Sequence, residues 1–312
     1  MKYKTSIVTV SDGLNIHLHQ WIPENPNKLM LVVHGSVEHA KRYDYFARKL
    51  CDQGFVVIAP DHRGHGLTAK ESGMFSHFGD TNGFLKAVQD LDEILYNIKE
   101  EYPELPRAIF GHSLGSFMTR KLISLRGEEF KAAILSGTSW GNTIELKGGL
   151  LLIKLWSLFT DKNVPNQKFN DFLWGQINGK VKNRKGTLDF INSDEKEVEK
   201  YQADPLNGNT ITIEFGKQMS KAILLIREHE VFESTPNDMA IYLASGLDDP
   251  LSNKGKDINL IAEKYREAGV KNVTVKLYKG ARHEIINEPN KDEIIADMIN
   301  WLNKIFEGNK VI

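Results

Sequence analysis

Arg107-Ala-Ile-Phe-Gly111-His-Ser113-Leu-Gly115-Ser-Phe-Met-Thr-Arg-Lys-Leu-Ile-Ser-Leu-Arg126 is the stretch that decides the fold. Its first four residues read as a short buried strand. From Leu114 onward, Phe117, Met118, Leu122 and Leu125 recur at helical spacing, so a helix runs to Arg126. The intervening Gly111-His-Ser113-Leu-Gly115 has the G-x-S-x-G form of a sharp strand-to-helix turn. Such a turn lifts a serine hydroxyl above a sheet edge, and small residues on either side let strand and helix approach. The helix N-terminus beneath the serine favours developing negative charge. Ser113 is therefore the candidate nucleophile.

A second match, Gly137-Thr-Ser139-Trp-Gly141, also follows an apolar run. What comes next is Asn142-Thr-Ile-Glu-Leu-Lys and then Gly148-Gly149, a poor continuous helix on propensity. Trp140 is expected to crowd the position an oxyanion must take. Ser139 reads as a loop serine.

Outward from this stretch, strand and helix patterns alternate. Strands are expected at Thr5–Val10, Asn15–Ile22, Leu29–His34, Phe55–Pro60, Ala108–Gly111, Ala132–Ser136, Ala240–Ser245 and Val273–Tyr278. Runs such as Leu29-Met-Leu-Val-Val33 are continuously apolar, as in strands covered on both faces of a parallel sheet. Helices are expected at Arg42–Gln53, Phe84–Tyr102, Leu114–Arg126, Lys254–Ala268 and Lys291–Phe306, with Leu85 on the apolar face of the second. The alternation implies an α/β fold, a mostly parallel eight-stranded sheet flanked by helices. The interval 140–232 breaks the rhythm and reads as a mostly helical cap inserted into a core of 1–139 and 233–312. Within it the apolar run Gly149–Phe159 must be buried, line a tunnel or rest on a membrane surface, which makes Leu152 and Trp156 candidate substrate-binding residues.

A serine needs a histidine base, and the base needs a carboxylate to orient it. His17 and His19 alternate in a strand that reads as a solvated face. His62, His65 and His77 share one loop upstream of the serine, His229 sits in a charged run, and His112 points away from its neighbour in the turn. His283 follows the last strand through Lys279-Gly-Ala-Arg282, at the same sheet edge as Ser113. For the acid, the strand Ala240–Ser245 opens into Gly246-Leu-Asp248-Asp249-Pro250. Spacing alone does not separate Asp248 from Asp249. Either gives the chain order Ser, Asp, His known for nucleophile-turn hydrolases.

With these residues placed, the chain resembles the monoacylglycerol lipase/lysophospholipase branch of the α/β-hydrolase superfamily, often grouped with serine aminopeptidase-like S33 hydrolases. Four motifs carry the resemblance: His34-Gly-Ser-Val-Glu-His39 followed by Arg42-Tyr43, Asp61-His-Arg-Gly-His-Gly66, Gly111-His-Ser-Leu-Gly115 and Gly280-Ala-Arg-His-Glu284. Thr68 and Ser116 are mild departures from its pattern. The resemblance implies Asp249 as the acid and the turn at Ser36 as the first oxyanion loop. The second oxyanion donor is the backbone N–H of Leu114, the residue after the nucleophile. It also implies that Glu38, His39 and Arg42 brace that loop, that Asp61 and Arg63 tie down the next one, and that the substrate is a lipid ester with one acyl chain.

Composition narrows the alternatives. Lys and Arg number 40 against 41 Asp and Glu, a formal net charge of −1 that offers no electrostatic footprint for nucleic acid. The single Cys51 closes no intrachain disulfide, and no Cys/His cluster has metal-ligand spacing, so neither metal nor other cofactor is expected. No apolar run approaches the roughly 20 residues of a spanning helix. The first residues lack a secretory h-region, which gives a cytoplasmic expectation. A small-ester esterase and an aminopeptidase or amide hydrolase remain as alternatives. The acids an aminopeptidase requires in the cap, Asp194, Glu195, Glu197 and Glu199, sit in a Lys-rich run that reads as a solvated helix. A non-catalytic binding protein on the same fold usually lacks a triad member, and none is missing here.

Overall fold

The computed structural model describes residues 1–308; the last four residues of the 233–312 segment lie outside them. Eight strands form one sheet: β1 (Lys2–Thr9), β2 (Asn15–Ile22), β3 (Lys28–Val33), β4 (Phe55–Pro60), β5 (Arg107–His112), β6 (Ala132–Ser136), β7 (Ala240–Gly246) and β8 (Asn272–Tyr278). Their order is β1-β2-β4-β3-β5-β6-β7-β8. β2 pairs antiparallel with both β1 and β4, and every other pairing is parallel. This is the α/β-hydrolase architecture.

The helices among the described residues are α1 (Asp44–Cys51), α2 (Gly66–Ser72), α3 (Gly83–Glu101), α4 (Leu114–Arg126), α5 (Thr143–Trp156), α6 (Gln167–Asn178), α7 (Glu195–Ala203), α8 (Ile213–Leu225), α9 (His229–Glu233), α10 (Lys256–Glu267) and α11 (Lys291–Glu307). The continuous apolar reading of β3 has a simple cause. Leu29, Leu31 and Val33 join Leu91, Met118 and Leu122 of α3 and α4 on one face. Met30 and Val32 join Phe46 and Leu50 of α1 with Met298 and Leu302 of α11 on the other. Each such side chain contributes roughly 1.5–3 kcal/mol on burial, so both faces hold the sheet.

Several expectations change. Leu85 is exposed; Phe84, Ala87 and Ile94 take the inward positions beside it. His19 is not solvated: it is buried between the Tyr3 hydroxyl (2.7 Å) and Asp61 (3.2 Å). The helix α2, not expected, starts at Gly66, the end of the Asp61–Gly66 motif, and its Thr68 Oγ donates to the Asp61 carbonyl at 2.8 Å.

The stretch after Ser139 is also a helix after all. α5 runs through Gly148 and Gly149, because Asn142 caps its N-terminus by accepting from the Ile144 and Glu145 amides. Capping of that kind contributes about 1 kcal/mol, comparable with the cost of one helical glycine. Packing of α5 against α8 supplies the rest. Five helices, α5 to α9, thus lie between β6 and β7.

Candidate active site

The turn between β5 and α4 is steric in origin. A Cβ on Gly115 would sit 2.0 Å from the Val33 carbonyl, and one on Gly111 would meet Thr119 and Gly115 within 2.6 Å. Only glycine permits this approach of strand and helix. Ser113, held between them, has φ 50° and ψ −119°, a strained conformation costing about 1–3 kcal/mol. Its hydroxyl donates to Nε2 of His283 at 2.8 Å. Nδ1 of His283 donates in turn to Oδ2 of Asp249 at 2.9 Å.

Asp249 is buried and also accepts from the Leu251 amide at 2.9 Å, whereas Asp248 is exposed. Burial opposes a charge on His283, but the charge of Asp249 and its hydrogen bond outweigh this and hold the imidazole above its ordinary value. His112 goes the other way. Burial and the neighbouring His283 push it down to about 3, so it stays neutral.

The turn at Gly35-Ser36, expected as the first oxyanion loop, follows β3. A Cβ on Gly35 would lie 3.3 Å from the Ser113 Cβ, and Ser36 lines the same cavity as Ser113. Neither the Ser36 nor the Leu114 amide donates to a protein acceptor among the described residues. The loop is braced heavily. Glu38 accepts from the Gly35 amide (2.5 Å) and the Tyr43 hydroxyl (2.9 Å), and its other oxygen meets Arg42 at 2.5 Å. Arg42 makes a second, bidentate pair with Glu284 at 2.6 Å. Val37, a β-branched residue at φ 51°, is strained. Its carbonyl accepts from the Tyr201 hydroxyl and the Gly208 amide, both at 2.7 Å. His39 reaches Asp204 at 2.9 Å.

Asp61 accepts from the Ala40 and Leu67 amides, and Arg63 pairs with Asp90 at 2.6 Å, so both tie loops together. The motif residue Glu284 and the interval residue Tyr201 escaped the sequence reading. For Glu284 the signal was present, since it completes the motif that carries His283.

A cavity of about 580 Å³ opens above Ser113. Leu146, Leu173, Trp174, Met219 and Ile223 give it an apolar wall, with Phe117 from α4. Leu152 and Trp156 are not among its lining residues, which corrects the expectation for both. Leu152 is half exposed, and Trp156 packs edge-on against Phe169 at 5.6 Å. On α5 only Ile153 is buried; Leu151, Leu152 and Leu155 face outward. Leu150-Leu-Leu-Ile153 are four consecutive apolar residues that point to every side of the helix, so periodicity there cannot say which face turns inward.

Ser139 donates to Asp257 at 3.2 Å, and no histidine is its hydrogen-bond partner. Trp140 does not line the cavity: its ring packs at a tilt against Phe232 and lies beneath the Arg227 guanidinium. Glu195 and Glu199 are exposed on α7, and none of Asp194, Glu195, Glu197 and Glu199 lines the cavity. Among the described residues no group of acidic, Cys and His side chains is arranged to hold a metal ion, and no helix is long and apolar enough to cross a membrane.

The family model for serine aminopeptidase, S33, matches residues 24–290. The chain belongs to that family. It superimposes with a TM-score of 0.89 on a thermostable carboxyl esterase from Bacillus coagulans crystallised with glycerol, 29% identical over 98% of this chain and 99% of that one. It is 27% identical to a monoglyceride lipase homolog of Monkeypox virus, over 93% of this chain and 95% of the relative. It is 23% identical to a monoacylglycerol lipase of Mycolicibacterium smegmatis, over 93% of each. The family placement agrees with a serine, a histidine and an aspartate at the carboxyl edge of the sheet.

Proposed function

We propose that this chain hydrolyses carboxylic esters of lipids with a single acyl chain, monoacylglycerols foremost, through an acyl-serine. The observation that carries the reading is the hydrogen-bonded series Ser113, His283, Asp249 at the floor of an apolar cavity. The names of the relatives above support the ester bond and the glyceride.

Ser113 Oγ attacks the ester carbonyl while His283 Nε2 takes its proton, and Asp249 stabilises the imidazolium and fixes the tautomer. The amides of Ser36 and Leu114 donate to the tetrahedral oxygen, each worth about 3 kcal/mol at good geometry. His283 then protonates the leaving alcohol, and a water molecule repeats the sequence on the acyl-serine. The chemistry requires no metal or organic cofactor. The acyl chain runs along Leu146, Leu173, Trp174, Met219 and Ile223, where each methylene removed from water contributes about 0.8 kcal/mol.

In this reading 140–232 is a cap on a core of 1–139 and 233–312, which the run of five helices without a strand of the main sheet supports. The cap's outer surface meets lipid. Ile144 (82% exposed), Leu158 (69%) and Phe159 (85%) project beside Leu151, Leu152 and Leu155, with Lys147 and Lys154 exposed among them. A lone buried cysteine suits a reducing, cytoplasmic setting.

The test is a hydrolysis panel of p-nitrophenyl esters, monoacylglycerols, lysophosphatidylcholine and aminoacyl-anilides. The expected order puts monoacylglycerols highest in kcat/KM and aminoacyl-anilides at background. Preference for an anilide would move the chain to the amide-hydrolase reading.

A further inference from the structure

Beyond Tyr278 the chain leaves β8, so the amides that follow have no ladder partner. Three successive N–H groups here, those of Arg282, His283 and Glu284, still find acceptors. The Arg282 amide donates to Oε1 of Glu288 at 2.7 Å. The His283 amide donates to the Phe190 carbonyl at 3.2 Å, and the Glu284 amide to the Ile191 carbonyl at 2.8 Å.

Phe190 and Ile191 belong to a buried, irregular segment of the interval between α6 and α7. Two side chains of the base loop clasp that segment at both ends. Arg282 Nη1 donates to the carbonyls of Asp189 (2.6 Å) and Asn192 (3.0 Å). Glu288, itself buried, accepts from the Ser193 amide at 3.1 Å and from the Ser193 hydroxyl. The far side of the strap is tied down by Asn178, whose Oδ1 accepts from the Phe190 amide at 3.0 Å.

We propose that Arg282 and Glu288 are positioning residues for the reaction: they lock the strap 189–193 against the base loop, so that strap carbonyls hold His283 in register with Ser113. Neither residue is a catalytic residue. Buried amides must be paired, so losing the strap leaves the His283 and Glu284 N–H groups unsatisfied and free to draw the loop elsewhere. Among the described residues the ring itself bonds only to Asp249 and Ser113, so the backbone of His283 is what the strap fixes. The strap also faces substrate, since Phe190 and Ile191 line the cavity. Register of the base is thereby tied to the wall that an acyl chain touches.

This inference rests on the proposed hydrolysis, so its test includes a readout independent of substrate choice. Glu288→Ala, Glu288→Gln and Arg282→Ala are compared with wild type for the labelling rate of Ser113 by a fluorophosphonate. Their kcat and KM on p-nitrophenyl acetate and p-nitrophenyl decanoate, and their melting temperatures, are measured alongside.

A displaced base costs about tenfold to a hundredfold, so labelling rate and kcat should both fall by that factor in the two alanine variants, equally for acetate and decanoate, with KM within about twofold. Glu288→Gln should return to within about threefold of wild type, because its amide oxygen still accepts from Arg282 and Ser193. If the alanine variants do not fold, Ser193→Ala, which removes only the hydroxyl bond to Glu288 at the exposed end of the strap, replaces them, with Ser113 labelling expected to fall by about threefold. Unchanged labelling in folded alanine variants, a fall in melting temperature alone, or a loss confined to decanoate KM overturns the inference. A wild-type Ser113 that never labels overturns the proposed hydrolysis instead.

Discussion

Oδ2 of Asp249 lies 2.9 Å from Nδ1 of His283, while the adjacent Asp248 is exposed to solvent. One residue of register separates a buried carboxylate that orients an imidazole from one that only meets water. A charge beside a buried aspartate is tolerated when it points outward, and Asp248 does. Substitution follows from this. Asp249→Asn should lower kcat by about 10³–10⁴-fold by favouring the wrong tautomer, and Asp248→Asn by less than about tenfold. Steady-state kinetics on one soluble ester checks both, and the reverse ranking would transfer the acid role to Asp248.

The same pair sets the acid limb of the pH profile. The base must be neutral to accept a proton, so kcat/KM should fall as pH drops through the His283 value, held above the ordinary 6.5 by Asp249 against the effect of burial. In Asp249→Asn burial is opposed only by the lesser pull of Glu284 and Glu38. The residual activity should then persist to lower pH than in wild type. A limb that stays in place would mean that His283 is not the titrating base.

Between the two G-x-S-x-G serines, only Ser113 donates to a histidine; Ser139 donates to Asp257. Ser113→Ala should reduce ester hydrolysis by roughly 10³-fold or more and abolish fluorophosphonate labelling. Ser139→Ala should retain activity within about threefold, since its loop also holds Asp257 through the Trp140 and Gly141 amides at 3.0 Å. Peptide mapping of the label distinguishes the two, and recovery on a Ser139 peptide would reverse the assignment.

Acyl preference should follow α6 and α8 rather than the outer face of α5. Met219→Glu puts a charge on the cavity wall and should depress hydrolysis of decanoate about tenfold or more, with acetate within about threefold. Leu152→Ser, outside the cavity, should leave both soluble esters unchanged and weaken flotation with vesicles containing anionic lipid. Equal loss on both esters in Met219→Glu, with an unchanged melting temperature, would remove Met219 from the acyl path.

Acid should destabilise the fold through its neutral histidines. Burial first, then the nearby His65, pushes His62 down to about 3, and His112 is pushed to about 3 by burial and His283. Both bind a proton on unfolding once pH lies below about 6.5, so their contribution to stability is complete above that value and is lost between about 6.5 and 3. Each contributes a slope of about 1.4 kcal/mol per pH unit in that window. Denaturant titrations of wild type and His62→Gln between pH 4 and 6 measure it, and equal slopes would show that His62 takes up no proton on unfolding.

Much of this molecule is local and therefore legible in one dimension. Strands covered on both faces must be apolar through their middles, so β3, β4 and β5 announce themselves. The turn at Ser113 needs glycine at 111 and 115 because carbonyl oxygens and side chains lie where a Cβ would go, and that demand is written in five residues. Chain order alone brings Ser113 and His283 to one edge of a parallel sheet. Three things were settled only by residues remote in sequence. Asp249 rather than Asp248 reaches His283, because the turn after β7 aims one carboxylate inward. The run Leu150–Leu155 of α5 shows Leu151, Leu152 and Leu155 to solvent and does not line the cavity, since consecutive apolar residues have no preferred face until neighbours pack on them. And the amides of His283 and Glu284 find acceptors at Phe190 and Ile191, about ninety residues away, a pairing that no local pattern encodes because an unpaired amide takes whichever carbonyl the folded chain brings within reach.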